Sequence, residues 1–579
     1  MTTGGDHIAD ALVKYGVQFI YTLCGGHISP ILTQSKARGI RIIDVRDEKN
    51  AVFAADATAR LTGTPGVAAV TAGPGVTNTL TALKNAKLAQ SPLVLLGGAA
   101  ATMLRGRGSL QDIDQMEVIK PHVKWAVSVR YVQDLGPTVE KAMEVAQKGV
   151  PGPVFVECPI DLLYDETLVR EWYVSSSGKK DSNKSIPEAA LQWYLGRHVD
   201  RMFEAEGGAQ PSMPRDLPEP PLGPLVTQAK RMIEKAKRPV MIVGSQAVWR
   251  AQEVEQVQAA VEKLGMPTYL ASMARGLLGT DSPIQRRHKR RNALKGADLV
   301  ILAGVPNDFR LEYGRAIGKK ARVISANLSV TQLFKNKVPT LPVPADPGRF
   351  LMKLAEDVTP PGDRWSDWHR ETKDRDEARD AEIAEMAKMQ APPLNPLDVC
   401  LGMERAMSDD AIMVADGGDF VASAAYTTKA RGPLRWLDPG VFGTLGVGGG
   451  FAMAAALCHP ESEVWLIYGD GAAGFSIVEF DTFVRHGLPV IAVIGNDAAW
   501  TQIARDQVVF LKDDVGTVLR RTAYEEVAKG YGAEGLLLDD PAKIDEVFAE
   551  AKRLAKSGRP VLINAHIGST DFRKGSISM

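Results

Sequence analysis

Val464-Trp465-Leu466-Ile467-Tyr468-Gly469-Asp470-Gly471 carries an apolar strand pattern straight into a glycine turn. A helix-like stretch, 477–486, follows, and then a second apolar run, 488–494, which ends in Gly495-Asn496-Asp497-Ala498. In a parallel sheet two such strands end at the same edge, where ligands bind. Asp470 and Asn496 are therefore expected side by side, although they are far apart in the chain. Their side-chain oxygens, with a backbone carbonyl, are hard ligands suited to Mg2+. Gly471, Ala472 and Ala473 let backbone N–H groups approach a diphosphate at a helix start. A lone Gly-Asp-Gly is common in turns. After one strand, and with an Asn at the end of the next, it reads as a metal–diphosphate loop.

The same alternation of short apolar runs and helical patterns extends outward over most of the chain. Runs at 17–23, 40–45, 66–71, 93–97 and 154–157, with helical stretches at 51–61 and 77–88, predict a doubly wound parallel sheet that closes near Asp165. Residues 166–221 are polar and rich in Ser, Lys and Pro, and read as a linker. Within it, 187–206 has helical spacing, with Leu191, Trp193, Tyr194, Val199 and Phe203 apolar, and predicts a docking helix. A second block, 222–357, has strand patterns at 240–243, 299–302 and 322–325. A second linker, 358–394, contains the charged helical segment 364–388. The third block, 395–579, has strands at 412–415, 463–467, 490–494 and 560–565. The expected fold class is α/β, with three doubly wound parallel-sheet domains at 1–165, 222–357 and 395–579.

Composition excludes several alternatives. A chain of 579 residues is too long for one core of ordinary size. With 45% apolar and 24% charged residues it has the profile of a soluble globular protein. A formal net charge of zero gives no global field to hold nucleic acid or an anionic membrane. Cys24, Cys158, Cys400 and Cys458 are scattered, which argues against a disulfide framework or zinc cluster and fits a reducing, cytoplasmic setting. The N-terminus has no basic start followed by an apolar core, so no signal peptide is expected. The span 439–460 lacks Asp, Glu, Lys and Arg and is long enough to cross a bilayer. Its many glycines favour a buried helix packed closely on a sheet.

The span 469–496 resembles the thiamine-diphosphate signature of the acetolactate synthase and pyruvate decarboxylase superfamily, with Asp497 in place of the usual second Asn. The resemblance implies thiamine diphosphate and Mg2+ as cofactors. The metal would be held by Asp470, Asn496 and the carbonyl of Ala498. Gly469 to Ala473, with Ala498, Ala499 and Trp500, would surround the diphosphate. In Ile42-Ile43-Asp44-Val45-Arg46-Asp47-Glu48, Glu48 matches the glutamate that faces the aminopyrimidine ring. Its carboxyl would protonate the ring nitrogen, and the cofactor's own imino group would then remove the proton from thiazolium C2. Thr71-Ala72-Gly73-Pro74-Gly75-Val76-Thr77-Asn78 resembles the segment beside the pyrimidine, which brings in Gly73, Pro74 and Asn78. Phe442-Gly443-Thr444-Leu445-Gly446 resembles the segment under the bent cofactor. There the Gly443 carbonyl would receive the 4′-amino group and Leu445 would wedge the two rings apart. Asp416-Gly417-Gly418-Asp419-Phe420 is expected to line the diphosphate. The family also implies a homodimer or a dimer of dimers, with active sites at the subunit interface.

Five segments narrow the resemblance: Thr22 to Pro30, Ser272 to Gly279, Asp308 to Arg310, Arg431 to Gly440 and Thr570 to Ser576. Together they look like the acetolactate-synthase-like proteins, some of which act as 2-hydroxyacyl-CoA lyases. That likeness implies cleavage of a CoA thioester to formyl-CoA and an aldehyde one carbon shorter, with condensation as the reverse. His27 is the candidate base for the 2-hydroxyl proton, the alternative being a histidine that serves only the turn. Gln111 matches a family glutamine near the active site. Arg275 and the cationic run containing Arg286, Arg287, Lys289 and Arg290 are candidates to hold the phosphates of CoA, or ADP in the middle domain. A solvated charged loop is the competing reading of that run. Arg573 lies in a tail able to fold over the site. Acetolactate synthases carry a Trp where Ile503 stands. Oxalyl-CoA decarboxylase is another rival. A non-catalytic cofactor-binding subunit would not need Glu48 beside Asp470 and Asn496.

Overall fold

The computed structural model describes residues 2–175, 186–204, 220–359 and 362–575. These residues form three six-stranded sheets, and every strand pairing within them is parallel. The first sheet consists of β1 (Phe19–Leu23), β2 (Arg41–Asp44), β3 (Gly66–Val70), β4 (Leu93–Ala99), β5 (Trp125–Ser128) and β6 (Pro153–Pro159), in the order β2-β1-β3-β4-β6-β5. The second consists of β7 (Pro239–Val243), β8 (Thr268–Leu270), β9 (Gln285–Arg286), β10 (Leu299–Ala303), β11 (Arg322–Ala326) and β12 (Leu341–Val343), in the order β12-β11-β10-β7-β8-β9. Counted within that sheet, this is the 3-2-1-4-5-6 winding of dinucleotide-binding folds, read from the other edge. The third consists of β13 (Ile412–Ala415), β14 (Trp436–Leu437), β15 (Val464–Gly469), β16 (Ile491–Asn496), β17 (Glu534–Leu538) and β18 (Val561–His566), in the order β14-β13-β15-β16-β18-β17. The first and third sheets thus share one connectivity.

The chain divides into two compact units. One holds Met1–Ala59 with Thr64–Asp216, and the other holds Arg60–Gly63 with Leu217–Met579. The first unit contains the first sheet; the second contains the other two. The central strands read as continuous apolar runs because both faces are covered by helices. β3, β4 and β6 are buried along their whole length, as are β15 and β16. Each fully buried Val, Leu or Ile there contributes about 1.5–3 kcal/mol.

The glycine-rich span contains the helix Gly448–Cys458, nearly all of it buried. Its small residues allow close packing: a Cβ at Gly448 would come within 2.7 Å of the Tyr468 ring and 2.8 Å of the Asp416 carboxylate. Among the described residues no helix is long and apolar enough to cross a membrane. The expected docking helix is Ile186–Glu204. The end of that expected helix, 205–206, and Ser576 of the tail lie outside the described residues. Val199 and Met202 join the core of the first unit. The apolar stripe is narrower than its sequence suggests, however, because Leu191, Trp193 and Tyr194 are exposed. The single helix expected at 77–88 is split into Pro74–Thr77 and Leu80–Ala89.

Candidate active site

In the first unit the sequence-predicted residues gather at the carboxyl ends of β1, β2 and β3. Glu48 opens the helix Glu48–Thr62 and is buried, and its Oε2 accepts a hydrogen bond from Asn78 Nδ2 at 3.0 Å. A Cβ on Gly75 would lie 3.8 Å from Glu48 Oε1 and 2.8 Å from Thr71 Cγ2, so the Gly73-Pro74-Gly75 turn passes directly over both. His27 follows β1 and is half-buried, with Nδ1 3.2 Å from Thr71 Oγ1. Burial lowers its pKa and leaves the imidazole neutral, able to accept a proton. Gln111 has a left-handed backbone (φ 62°) and its carbonyl lies against Gly73.

Sequence reasoning missed what holds this turn. Gln115 Oε1 accepts from Gly73 N–H at 2.8 Å, and its Nε2 donates to Gly98 O at 3.1 Å and to Glu157 Oε1 at 2.9 Å. Arg105 closes the chain with a 2.9 Å ion pair to Glu157. Gln111, Gln115, Arg105 and Glu157 line one cavity of about 560 Å3. No local motif marks Gln115 or Glu157, because their partners come from other strand ends.

In the second unit Asp470 and Asn496 end adjacent strands, with Gly469 paired to Gly495. Both side chains are buried. Asp470 Oδ1 accepts from Gly471 N–H at 2.8 Å, whereas Asp470 Oδ2 and Asn496 Oδ1 have no hydrogen-bond partner. Burial, and then the Asp497 carboxylate, push the Asp470 pKa up to about 7. Two orphaned oxygen acceptors beside a second carboxylate are costly without compensation, and a hard divalent cation would supply it. Among the described residues no group of three or more His, Cys, Asp or Glu gathers as a metal site. A donor set of one carboxylate, one amide and a backbone carbonyl does not require one. Ala498 (φ 60°) turns its backbone in the left-handed region, and its carbonyl accepts from Leu519 N–H at 2.8 Å, leaving a second lone pair.

Asp470 also begins a helical turn, Asp470–Ala473, over which the Trp500 ring lies: a Cβ on Gly471 would meet it at 2.4 Å. Ala472 and Ala473 are buried in this turn, and Ala499 forms an isolated antiparallel bridge with Val518. Gly418 (φ 118°) lies close to Gly469, whose N–H donates to Gly417 O at 2.9 Å. Asp419 starts the helix Asp419–Thr427 and pairs with Arg505, with Arg573 3.9 Å away. Phe420 is a core residue packed under Gly495. Leu445 is half-buried against Gly417, and Gly443 (φ 63°) precedes it. The clamp on this segment is Asp416, whose two oxygens accept from Gly446 N–H at 2.8 Å and Gly448 N–H at 2.7 Å.

The cationic run lines a cavity of about 480 Å3 whose wall also includes Arg275, Tyr426 and Trp436. A second cavity, of about 420 Å3, shares Arg275, Arg290 and Trp436 with it and reaches Asp416, Gly443 and Leu445. Burial lowers the pKa of Arg275 and Arg290, so both guanidiniums are short of solvation. Arg287 donates to Tyr426 O and Thr428 O, and Lys289 is exposed. Arg286 differs from the rest: it is buried, and its guanidinium is committed to Thr372 Oγ1, Pro283 O, Gln285 O and His369 O. Arg573 lies over the Tyr426 ring, 5.3 Å from its centroid.

Three family models match the chain in order. They are the thiamine pyrophosphate enzyme N-terminal TPP binding domain (residues 2–118), central domain (226–354) and C-terminal TPP binding domain (416–565). The chain therefore belongs to the thiamine pyrophosphate enzymes, with β1 to β4 inside the N-terminal match and β14 to β17 inside the C-terminal one. Among individual relatives, the 2-hydroxyacyl-CoA lyase 2 of Danio rerio is 49% identical over 590 residues, covering 100% of this chain and 93% of the relative. The protein of the same name from Homo sapiens is 47% identical, covering 100% and 92%. An acetolactate synthase large subunit of Mycobacterium tuberculosis is more distant, at 32% identity, covering 97% and 95%.

Proposed function

We propose that this enzyme is a carbon–carbon lyase that uses thiamine diphosphate and Mg2+ to cleave 2-hydroxyacyl-CoA into formyl-CoA and an aldehyde one carbon shorter, or to run the reverse condensation. The observation that carries the reading is the cavity lined by Arg275, Arg287 and Arg290, which continues into the one reaching Gly443 and Leu445. A substrate that ends in phosphates needs such a cationic approach; a free 2-ketoacid does not. The relatives named 2-hydroxyacyl-CoA lyase 2 support the same reading.

The bound cofactor supplies the nucleophilic carbon and the electron sink. Glu48, its carboxyl held in place by Asn78, would face the aminopyrimidine ring nitrogen and exchange a proton with it. His27 accepts the 2-hydroxyl proton as the C1–C2 bond breaks, and Gln111 orients the substrate carbonyl. Asp470, Asn496 and the Ala498 carbonyl would hold the metal, while the turn from Gly469 to Ala473 would receive the diphosphate. Leu445 would pack against the cofactor rings. Arg275, Arg287, Lys289 and Arg290 bind the phosphates of CoA, and the same cavity admits ADP.

A cytoplasmic homodimer or tetramer, with active sites at the subunit interface, belongs to this reading. The helix Thr501–Leu511 has no buried residue, and Val509, Phe510 and Leu511 are 58%, 70% and 72% exposed. Such a patch on one copy favours cover by another. The deciding assay combines purified protein, thiamine diphosphate and Mg2+ with 2-hydroxyacyl-CoA, pyruvate or oxalyl-CoA in turn. Aldehyde and formyl-CoA from the first are expected; efficient acetolactate formation from pyruvate overturns the reading.

A further inference from the structure

A side-chain amide has two ends, and only its oxygen can bind a cation. Asn496 therefore serves a metal only if something fixes which way its amide points. Its Nδ2 donates to Asn564 Oδ1 at 3.0 Å and to Thr522 O at 3.1 Å. Asn564, on the neighbouring strand β18, has the same ambiguity, and it is resolved one residue further on. Its own Nδ2 donates to Glu525 Oε2 at 2.6 Å and to Thr522 O at 3.0 Å.

The polarity of this chain runs one way. A carbonyl oxygen only accepts hydrogen bonds, so Asn564 must turn its NH2 group toward Thr522 O, which places it beside Glu525 Oε2 as well. Its oxygen must then face Asn496, whose NH2 group is thereby drawn away from Asp470. The Asn496 oxygen left over is the buried, unpartnered one. Asn496 and Asn564 are fully buried, and Glu525 nearly so, so water does not compete at either amide.

The segment carrying Glu525 braces the same site at three more points. Arg521 donates to Asn496 O at 2.7 Å and to Ile567 O at 2.9 Å. Tyr524 OH donates to the Asp470 carbonyl at 3.1 Å. Thr522 O is the shared acceptor of both amides. One short stretch, Arg521 to Glu525, thus touches the backbone of both Asp470 and Asn496 and the amide orientation of one of them.

We infer that Asn564 and Glu525 are positioning residues that set the Asn496 amide oxygen toward the metal, so that the cation meets a preoriented ligand. The inference rests on the metal reading of Asp470 and Asn496 proposed above. Partners of this kind, behind the residues that touch a metal, are worth about 10–100-fold in its affinity.

The test is Mn2+ affinity of the full chain with thiamine diphosphate, read by electron paramagnetic resonance of free Mn2+, with circular dichroism as the check on folding. Wild-type protein that binds no Mn2+ overturns the metal reading itself. If it binds, Asn564→Leu should weaken Mn2+ about tenfold, because the Asn496 amide keeps Thr522 O alone as acceptor and Asn564 no longer sets its direction. Glu525→Leu leaves the Asn564 amide held by Thr522 O alone and should weaken Mn2+ at least about threefold. Asn564→Leu that is folded but weakened less than that overturns the positioning role. So does a folded Glu525→Leu weakened less than that. If Asn564→Leu does not fold, Glu525→Leu decides by the same threshold.

Discussion

Asn78 donates its side-chain amide to the Glu48 carboxylate at 3.0 Å, joining the start of one helix to the end of the Gly73-Pro74-Gly75 turn. The bond fixes the carboxyl without neutralising it, since an amide donor carries no charge. Glu48→Gln keeps the shape and removes the titratable proton. Turnover should fall about 10²–10⁴-fold, the usual contribution of a general acid or base. Binding of thiamine diphosphate, followed by tryptophan fluorescence, should stay within a few-fold of wild type. Retained turnover would remove Glu48 from the chemistry.

The histidine gives a pH signature. Burial lowers the His27 pKa from its ordinary value of 6.5. The proton-accepting form therefore survives to more acid pH than in a free histidine, and the acid limb of kcat/KM should lie below 6.5. The unfolded chain takes up this proton first, so the stability contribution of neutral His27 is present above 6.5 and is lost as pH falls from there through the folded value. His27→Ala should cut turnover strongly, abolish that limb and leave cofactor binding intact. An unchanged pH profile in the variant would assign the histidine to the turn alone.

Trp500 leaves no room at Gly471, where a Cβ would sit 2.4 Å from the ring. Gly471→Ala should displace the indole at a cost of about 1–3 kcal/mol, as overpacking does. The expected readings are a lower Tm, altered tryptophan emission and weaker thiamine diphosphate binding. Adding Trp500→Ala should recover most of the Tm, and failure to do so would show that the clash lies elsewhere.

Two neighbouring arginines should behave oppositely. Arg290 lines both of the cavities described above and donates one hydrogen bond to Arg310 O, so Arg290→Ala is expected to raise KM for a CoA thioester at least several-fold with a smaller fall in Tm than Arg286→Ala. The buried Arg286 satisfies three backbone carbonyls, and each buried acceptor left unpaired costs about 1–3 kcal/mol. Arg286→Ala should therefore lower Tm by several degrees. Calorimetry beside steady-state kinetics separates the two; equal KM effects with equal stability would contradict the assignment.

The strands legible in the sequence are those covered on both faces. β3, β4, β15 and β16 stand out as unbroken apolar runs. β9 and β14 have two residues each, and β17 is only partly buried, so none carries a pattern long enough to read. The same limit governs the site. Asp470, Asn496 and Glu48 follow strands directly and can be found from local spacing. Asp416 acts on Gly446 and Gly448, and Asn564 acts on Asn496, through contacts that only the assembled sheet creates. Charge runs mislead in a different way: Arg286 and Arg290 look alike in sequence, but burial gives one of them wholly to the protein's interior.

β3 and β15 occupy the same place in two sheets wound alike. After β3 the chain offers Gly73-Pro74-Gly75, free of charge; after β15 it offers Gly469-Asp470-Gly471. One architectural blueprint, used twice, thus ends in two different tools at corresponding strand ends. Strand order alone therefore does not decide the chemistry at a strand end; the loop that follows it does. This makes the two loops natural targets for recombination experiments, since the framework beneath each already accepts the same path of the chain.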